Sequence, residues 1–124
     1  MSESARGIVV AHGALATALV QEAERISGQA GVLTPVSNTG CGPEEIERGV
    51  AEAARGGPAV VFVDMPCGSC FFAAMRVSRE RSDIRVVTGV NLPMLLDFVH
   101  NRSLPPVDGA ARAADKGTDA IRQS

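Results

Sequence analysis

Four short apolar runs alternate with four longer, alanine-rich segments of helical period, and this alternation limits the fold more than any other feature of the chain. Strand-sized runs separated by helix-sized ones read as βαβ units, because parallel strands need crossover connections long enough to hold a helix. Gly7-Ile8-Val9-Val10-Ala11 is the first strand, and its unbroken hydrophobicity fits a central position covered on both faces. Leu15, Leu19, Ala23 and Ile26 recur at spacings of four and three, which predicts a helix from about Leu15 to Ser27, closed by Gly28 and Gly31. Val32–Val36 follows as a weaker strand whose Pro35 suits a sheet edge.

Pro43, Glu44 and Glu45 open a second helix, with proline preset for the first turn and two acids at the positive end of the dipole; Gly56-Gly57 ends it. Ala59–Val63 is the clearest strand, and Ser69 is expected to cap a third helix running to about Arg81. Ile84–Thr88 is the fourth strand, and Asn91 caps a fourth helix through Leu95, Leu96 and Val99, which Pro105-Pro106 stops. Beyond Val107 the chain is alanine-rich to Ala114 and breaks at Gly117. Asp119–Arg122 fits either a frayed helix or a short edge strand. Residues 1–124 therefore read as one domain, a three-layer, doubly wound α/β fold of flavodoxin-like type.

Composition removes several function classes. Lys and Arg number 12 against 14 Asp and Glu, so no overall positive field exists to replace phosphate counterions, and no nucleic-acid partner is expected. No apolar run approaches the roughly 18 residues of a spanning helix. The segment from Arg6 to Ala16 faintly imitates a signal peptide, but His12 and Gly13 interrupt its apolar stretch. Three cysteines without an export signal point to a reducing, cytoplasmic location.

Ligands of open parallel sheets bind beyond the carboxyl ends of the strands, where the direction of winding reverses. The residues there are His12-Gly13, Asp64 to Ser69, and Gly89 to Asn91. If the first and third strands are neighbours, His12 and Asp64 face each other. A carboxylate on one ring nitrogen fixes the tautomer and frees the other as a nucleophile or base. Gly68-Ser69 opens the next helix and offers unpaired N–H groups and a hydroxyl to an anion. Nucleophilic histidine, orienting acid and anion cradle together suit a phosphoryl carrier.

Gly7-Ile-Val-Val-Ala-His12-Gly13, Val63-Asp64, Gly68-Ser69, Phe71-Phe-Ala-Ala-Met-Arg76 and Gly89-Val-Asn-Leu-Pro-Met-Leu95 carry a resemblance to the mannose-class IIA component of the bacterial sugar phosphotransferase system. It covers the chain from about Gly7 to Arg122, and the Gly89–Leu95 run is its most specific part. The resemblance implies strand order 2-1-3-4 with a C-terminal antiparallel strand exchanged across a homodimer. It implies that His12 receives a phosphoryl group from the histidine phosphocarrier protein and passes it to a IIB component, in indirect association with a membrane permease. Asp64 matches the orienting acid and Gly68 and Ser69 the phosphate-side turn; Gly13, beside His12, is a further phosphate-binding candidate. No cofactor or metal is required.

The family's usual turn is closer to Asp-x-Trp-Gly-Gly-Ser-Pro-Phe-Asn, whereas this chain has Pro66, Cys67, Cys70 and Phe72 at the differing positions. These changes alter the partner-facing surface and the backbone freedom of the loop. Two other functions compete: a phosphorylation-dependent regulatory module, and a thiol redox or zinc protein using Cys67 and Cys70. For zinc, Cys41 and His12 complete the donor set. Phe71 and Phe72 are expected to pack under the helix, and Arg76, Arg79, Arg81 and Arg85 to form a solvated face.

Overall fold

The computed structural model describes residues 4–124. Strands β1 (Arg6–Ala11), β2 (Leu33–Ser37), β3 (Ala59–Val63) and β4 (Ile84–Thr88) form a sheet in the order β2-β1-β3-β4, with every pair parallel. Helices α1 (Leu15–Ser27), α4 (Leu92–Val99) and α5 (Pro106–Asp119) cover one face. The other is covered by α2 (Pro43–Ala54) and α3 (Gly68–Glu80).

Side chains alternate across a strand, so the continuous apolar runs divide into two cores. Val9, Ala11, Val60 and Phe62 enter the layer of α1, α4 and α5, where the Phe62 ring meets Phe98 edge-to-face at 5.3 Å. Ile8, Val10, Val61 and Val63 enter the layer of α2 and α3. Burial on both faces is why β1 and β3 show no polar alternation. The edge position expected from Pro35 is that of β2, which among the described residues pairs only with β1.

Several local signals operate as read. Gly28 takes a left-handed φ of 74° at the end of α1. The Met94 N–H donates to Asn91 Oδ1 at 3.1 Å, the cap expected of Asn91, while Glu45, expected only as a first-turn acid, in addition accepts from the Gly42 N–H at 3.1 Å. Elsewhere the element ends differ. The N-cap of α3 is Cys67, with Ser69 inside the first turn, and Arg55 in the left-handed region at φ 53° ends α2 ahead of the glycines. Helix α4 stops at Val99, and Pro106 opens α5 where the proline pair was expected only to end a helix.

The largest differences lie at the C-terminal end. Gly117 does not break the chain; it is buried inside α5, where a β-carbon would overlap the Met94 side chain, and its carbonyl accepts from Asn91 Nδ2 at 3.1 Å. Close approach of α5 to α4 is thus what the glycine serves. Ala110, Ala113 and Gly117 form the buried stripe of α5, and this packing carries the helix through to Asp119. Asp119–Arg122 accordingly forms no strand: Ala120–Ser124 is exposed and irregular, and the expected antiparallel edge strand is absent among the described residues. Nor is any helix among them long and apolar enough to cross a membrane.

Gly7 marks a second close approach. A β-carbon there would come within 2.7 Å of Phe98 Cε2 and closer still to Leu33 Cδ2. Alanine normally outranks glycine inside a strand, but here overpacking dominates. Gly7→Ala should therefore destabilise the fold by about 1–3 kcal/mol, read by urea denaturation with an unchanged m-value. Unchanged or increased stability would contradict this packing.

Candidate active site

The chain crosses from β1 to β2 in one direction and from β3 to β4 in the other, so the winding reverses between β1 and β3. Val10 pairs with Val63, which sets His12 and Asp64 side by side just beyond the two strand ends. The Asp64 N–H continues the ladder by donating to the Val10 carbonyl at 3.3 Å.

Asp64 Oδ2 accepts twice from His12: from the backbone N–H at 3.0 Å and at 2.8 Å from ring Nδ1. The Asp64 side chain is 9% exposed and that of His12 44%, so a buried acid holds a ring that opens to solvent. Burial alone would raise the Asp64 pKa. The backbone and ring hydrogen bonds and the charge of His12 outweigh it, and the carboxyl is held below its ordinary value. With Asp64 ionised, Nδ1 must be the donor. The free lone pair of the imidazole then resides on Nε2.

Nε2 faces the start of α3. A β-carbon on Gly68 would lie 3.9 Å from both Nε2 and Cε1, and Gly68 itself has a φ of 89°. No side chain caps α3, so its first N–H groups remain available to an anion bound at the ring. Of the residues that open α3, Gly68 is the one the structure places against the Nε2 edge of the ring.

Gly13 has a different place. Its N–H is occupied by Asn38 Oδ1 at 3.1 Å, while Ser37 Oγ donates to its carbonyl at 2.8 Å. Ser37 and Asn38 clamp the turn that presents His12, and sequence reasoning missed them. Their position directly after an edge strand beside the switch point was the available signal.

The thiols separate. Cys67 is exposed at the N-cap of α3, whereas Cys70 is fully buried behind it. Burial and the neighbouring Asp64 charge raise the Cys70 pKa, against a smaller lowering by a hydrogen bond from Ser69. The donor atoms of Cys70, His12 and Asp64 lie within 4.8 Å of one another, and Cys41 and Cys67 fall outside this group. Cys41 instead lines a shallow groove beside β2 with Pro35 and Glu45. Phe71 packs against the α2–α3 layer as expected, but Phe72, in the second turn of α3, is 61% exposed, and Met65 in the loop ahead of α3 is exposed as well. Arg76 pairs with Glu47 across α2 and α3 at 2.9 Å, and Arg81 with Asp83 at 3.0 Å.

The family EIIA-man, described as the PTS system fructose IIA component, matches residues 7–114. The chain belongs to the EIIA-man family. It is 31% identical over 99 residues to the sorbose-specific EIIA component of Klebsiella pneumoniae, covering 77% of this chain and 73% of the relative. Its fold is similar to that of a phosphotransferase system EIIA from Streptococcus agalactiae, with a TM-score of 0.87, 22% identity and 95% of each chain covered. The mannose/sorbose-specific IIA subunit from Enterococcus faecalis is similar with a TM-score of 0.84 and 20% identity, covering 98% of this chain and 96% of the other. An EIIA-man protein is a phosphotransfer component of a sugar-uptake system, and the chain has that general role.

The depressed Asp64 pKa makes a prediction about stability. A carboxylate favoured in the folded state contributes stability above its unfolded pKa, and loses it as pH falls through the lower folded value. Asp64→Asn should therefore be less stable than wild type at neutral pH, with the gap closing below about pH 4. Urea midpoints across pH check this. A gap that stays constant on acidification would contradict ionic bonding of His12.

Proposed function

We propose that His12 is the phosphoryl acceptor of this EIIA-man protein, and that Asp64 orients it while the start of α3 holds the phosphate. The observation that carries this reading is the opposite placement of the two ring nitrogens, Nδ1 on Asp64 and Nε2 at the uncapped helix. The Nε2 lone pair attacks phosphorus, the N–P bond of a donor phosphohistidine breaks, and its electron pair returns to the donor ring. The product ring keeps its Nδ1 proton on Asp64, whose charge offsets the positive charge that the phosphorylated imidazole gains. Gly68 and Ser69 supply N–H groups to the phosphate oxygens.

The histidine phosphocarrier protein is the donor on this reading and a IIB component the acceptor, with the protein in the cytoplasm and reaching a membrane permease only through its partners. Phe72 on α3 and Met65 in the turn before it are exposed and offer apolar contact area to such partners. Pairing of two copies belongs to the same proposal. The outer edge of β4 is unpaired among the described residues, and Ile121 is 77% exposed on the segment that would cover it.

The chain has two histidines, which makes the test clean. His100 follows α4, accepts at Nδ1 from Gln29 Nε2 at 3.1 Å, and lies two residues before Arg102, which donates to the Ala5 carbonyl just ahead of β1. It is thus at the opposite end of the sheet from the switch point. Phosphoenolpyruvate, its enzyme I kinase and the phosphocarrier protein should add one acid-labile phosphate, read by intact mass. His12→Ala should abolish it, and Asp64→Asn should slow it roughly ten- to hundredfold. Full labelling of His12→Ala would refute the assignment.

A further inference from the structure

Cys70 is a buried nucleophile that phosphoryl transfer does not use, yet it sits beside the two residues that such transfer does. A His nitrogen, a carboxylate oxygen and a cysteine sulfur within 4.8 Å of one another form a mixed N/O/S donor set, which suits a borderline-soft divalent cation of the zinc type. Around a tetrahedral zinc the donors would be about 3.5 Å apart, so a closing movement of about 1 Å completes the contact.

A second observation points the same way. Asp64 Oδ1 is buried and has no hydrogen-bond partner among the described residues, although Oδ2 on the same nine-tenths-buried carboxylate has two. A buried carboxylate oxygen without a donor loses solvation uncompensated, and a cation would restore it. Access exists past the half-exposed His12 ring.

We infer that His12, Asp64 and Cys70 form a zinc site that withdraws His12 from phosphoryl transfer. Binding breaks the Cys70 S–H bond, with the proton leaving to solvent and the sulfur electron pair going to the metal. Asp64 stays a carboxylate, a ring nitrogen donates its lone pair, and no redox change occurs. Coordination by Nε2 removes the attacking pair directly. Coordination by Nδ1 moves the ring proton to Nε2, which then also lacks a free pair. The blocking effect rests on the phosphocarrier reading, whereas the site itself rests only on the donor geometry.

Cobalt(II), a spectroscopic stand-in for zinc, tests the site on the full chain. A double variant, Cys41→Ala with Cys67→Ala, keeps Cys70 as its sole thiol. It should show a thiolate-to-cobalt charge-transfer band at one metal per chain. His12→Ala and Asp64→Asn should each weaken metal binding about 10–100-fold or more, and Cys70→Ala should remove the band. Should Cys70→Ala fail to fold, the band in the double variant decides alone. Zinc should then block phosphate addition to the double variant, and a chelator should restore it. No band in the double variant, or a band with phosphate addition undiminished by zinc, would overturn the inference. Failure to accept phosphate even in chelator would count against the phosphocarrier reading and leave the cobalt result standing.

Discussion

Asp64 Oδ2 ties together the two central strands at the end where the chemistry sits. By accepting from both the backbone N–H and the ring of His12, one atom continues the β1–β3 ladder beyond its last residue pair and fixes which ring nitrogen is free. Hydrogen bonds to a charged, nearly dry acceptor are stronger than neutral ones, and a charge so buried is costly unless it is paired. The same bond therefore serves the fold and the site. Parallel pairing is its precondition, since only neighbouring β1 and β3 bring the two residues together.

The rest of the site follows from how the crossovers leave the sheet. Helix α3 starts just after the Asp64 turn and sets Gly68, its first residue, against the Nε2 edge of the imidazole. The β2 end contributes Ser37 and Asn38, which hold Gly13 rather than the ligand. Three strand ends thus divide the work: one presents the ring, one orients it, and one braces the turn. On the proposed assignment, the phosphotransfer role of the EIIA-man family would be served here by a solvent-open ring on a rigid mount.

The regular elements were legible in the sequence because their causes are local. Continuous apolar runs marked β1 and β3, Pro35 marked the β2 edge, and Asn91 and Pro43 marked helix starts. What sequence alone left open has tertiary causes. Gly117 reads as a breaker until α4 is packed against α5, and Asp119 reads as strand-compatible until the buried stripe of Ala110 and Ala113 extends the helix. Strand order came from the family resemblance, not from periodicity. His12, Asp64, Gly68 and Ser69 were recognisable as residues following strands. Asn38 was not assigned its place, and Cys70, grouped in sequence with His12, Cys41 and Cys67, clusters instead with His12 and Asp64, because a side-chain clamp and a shared cluster emerge only once the strand ends and α3 are brought together in space.

The central claim is that Asp64 fixes the imidazole with its proton on Nδ1 and its lone pair on Nε2. Long-range proton–nitrogen NMR of the His12 ring, recorded at mildly alkaline pH, measures this directly. The predicted result is a protonated Nδ1 and an unprotonated Nε2, with Asp64→Asn shifting the balance between the two tautomers. A ring carrying its proton on Nε2 in the wild-type protein would contradict the account.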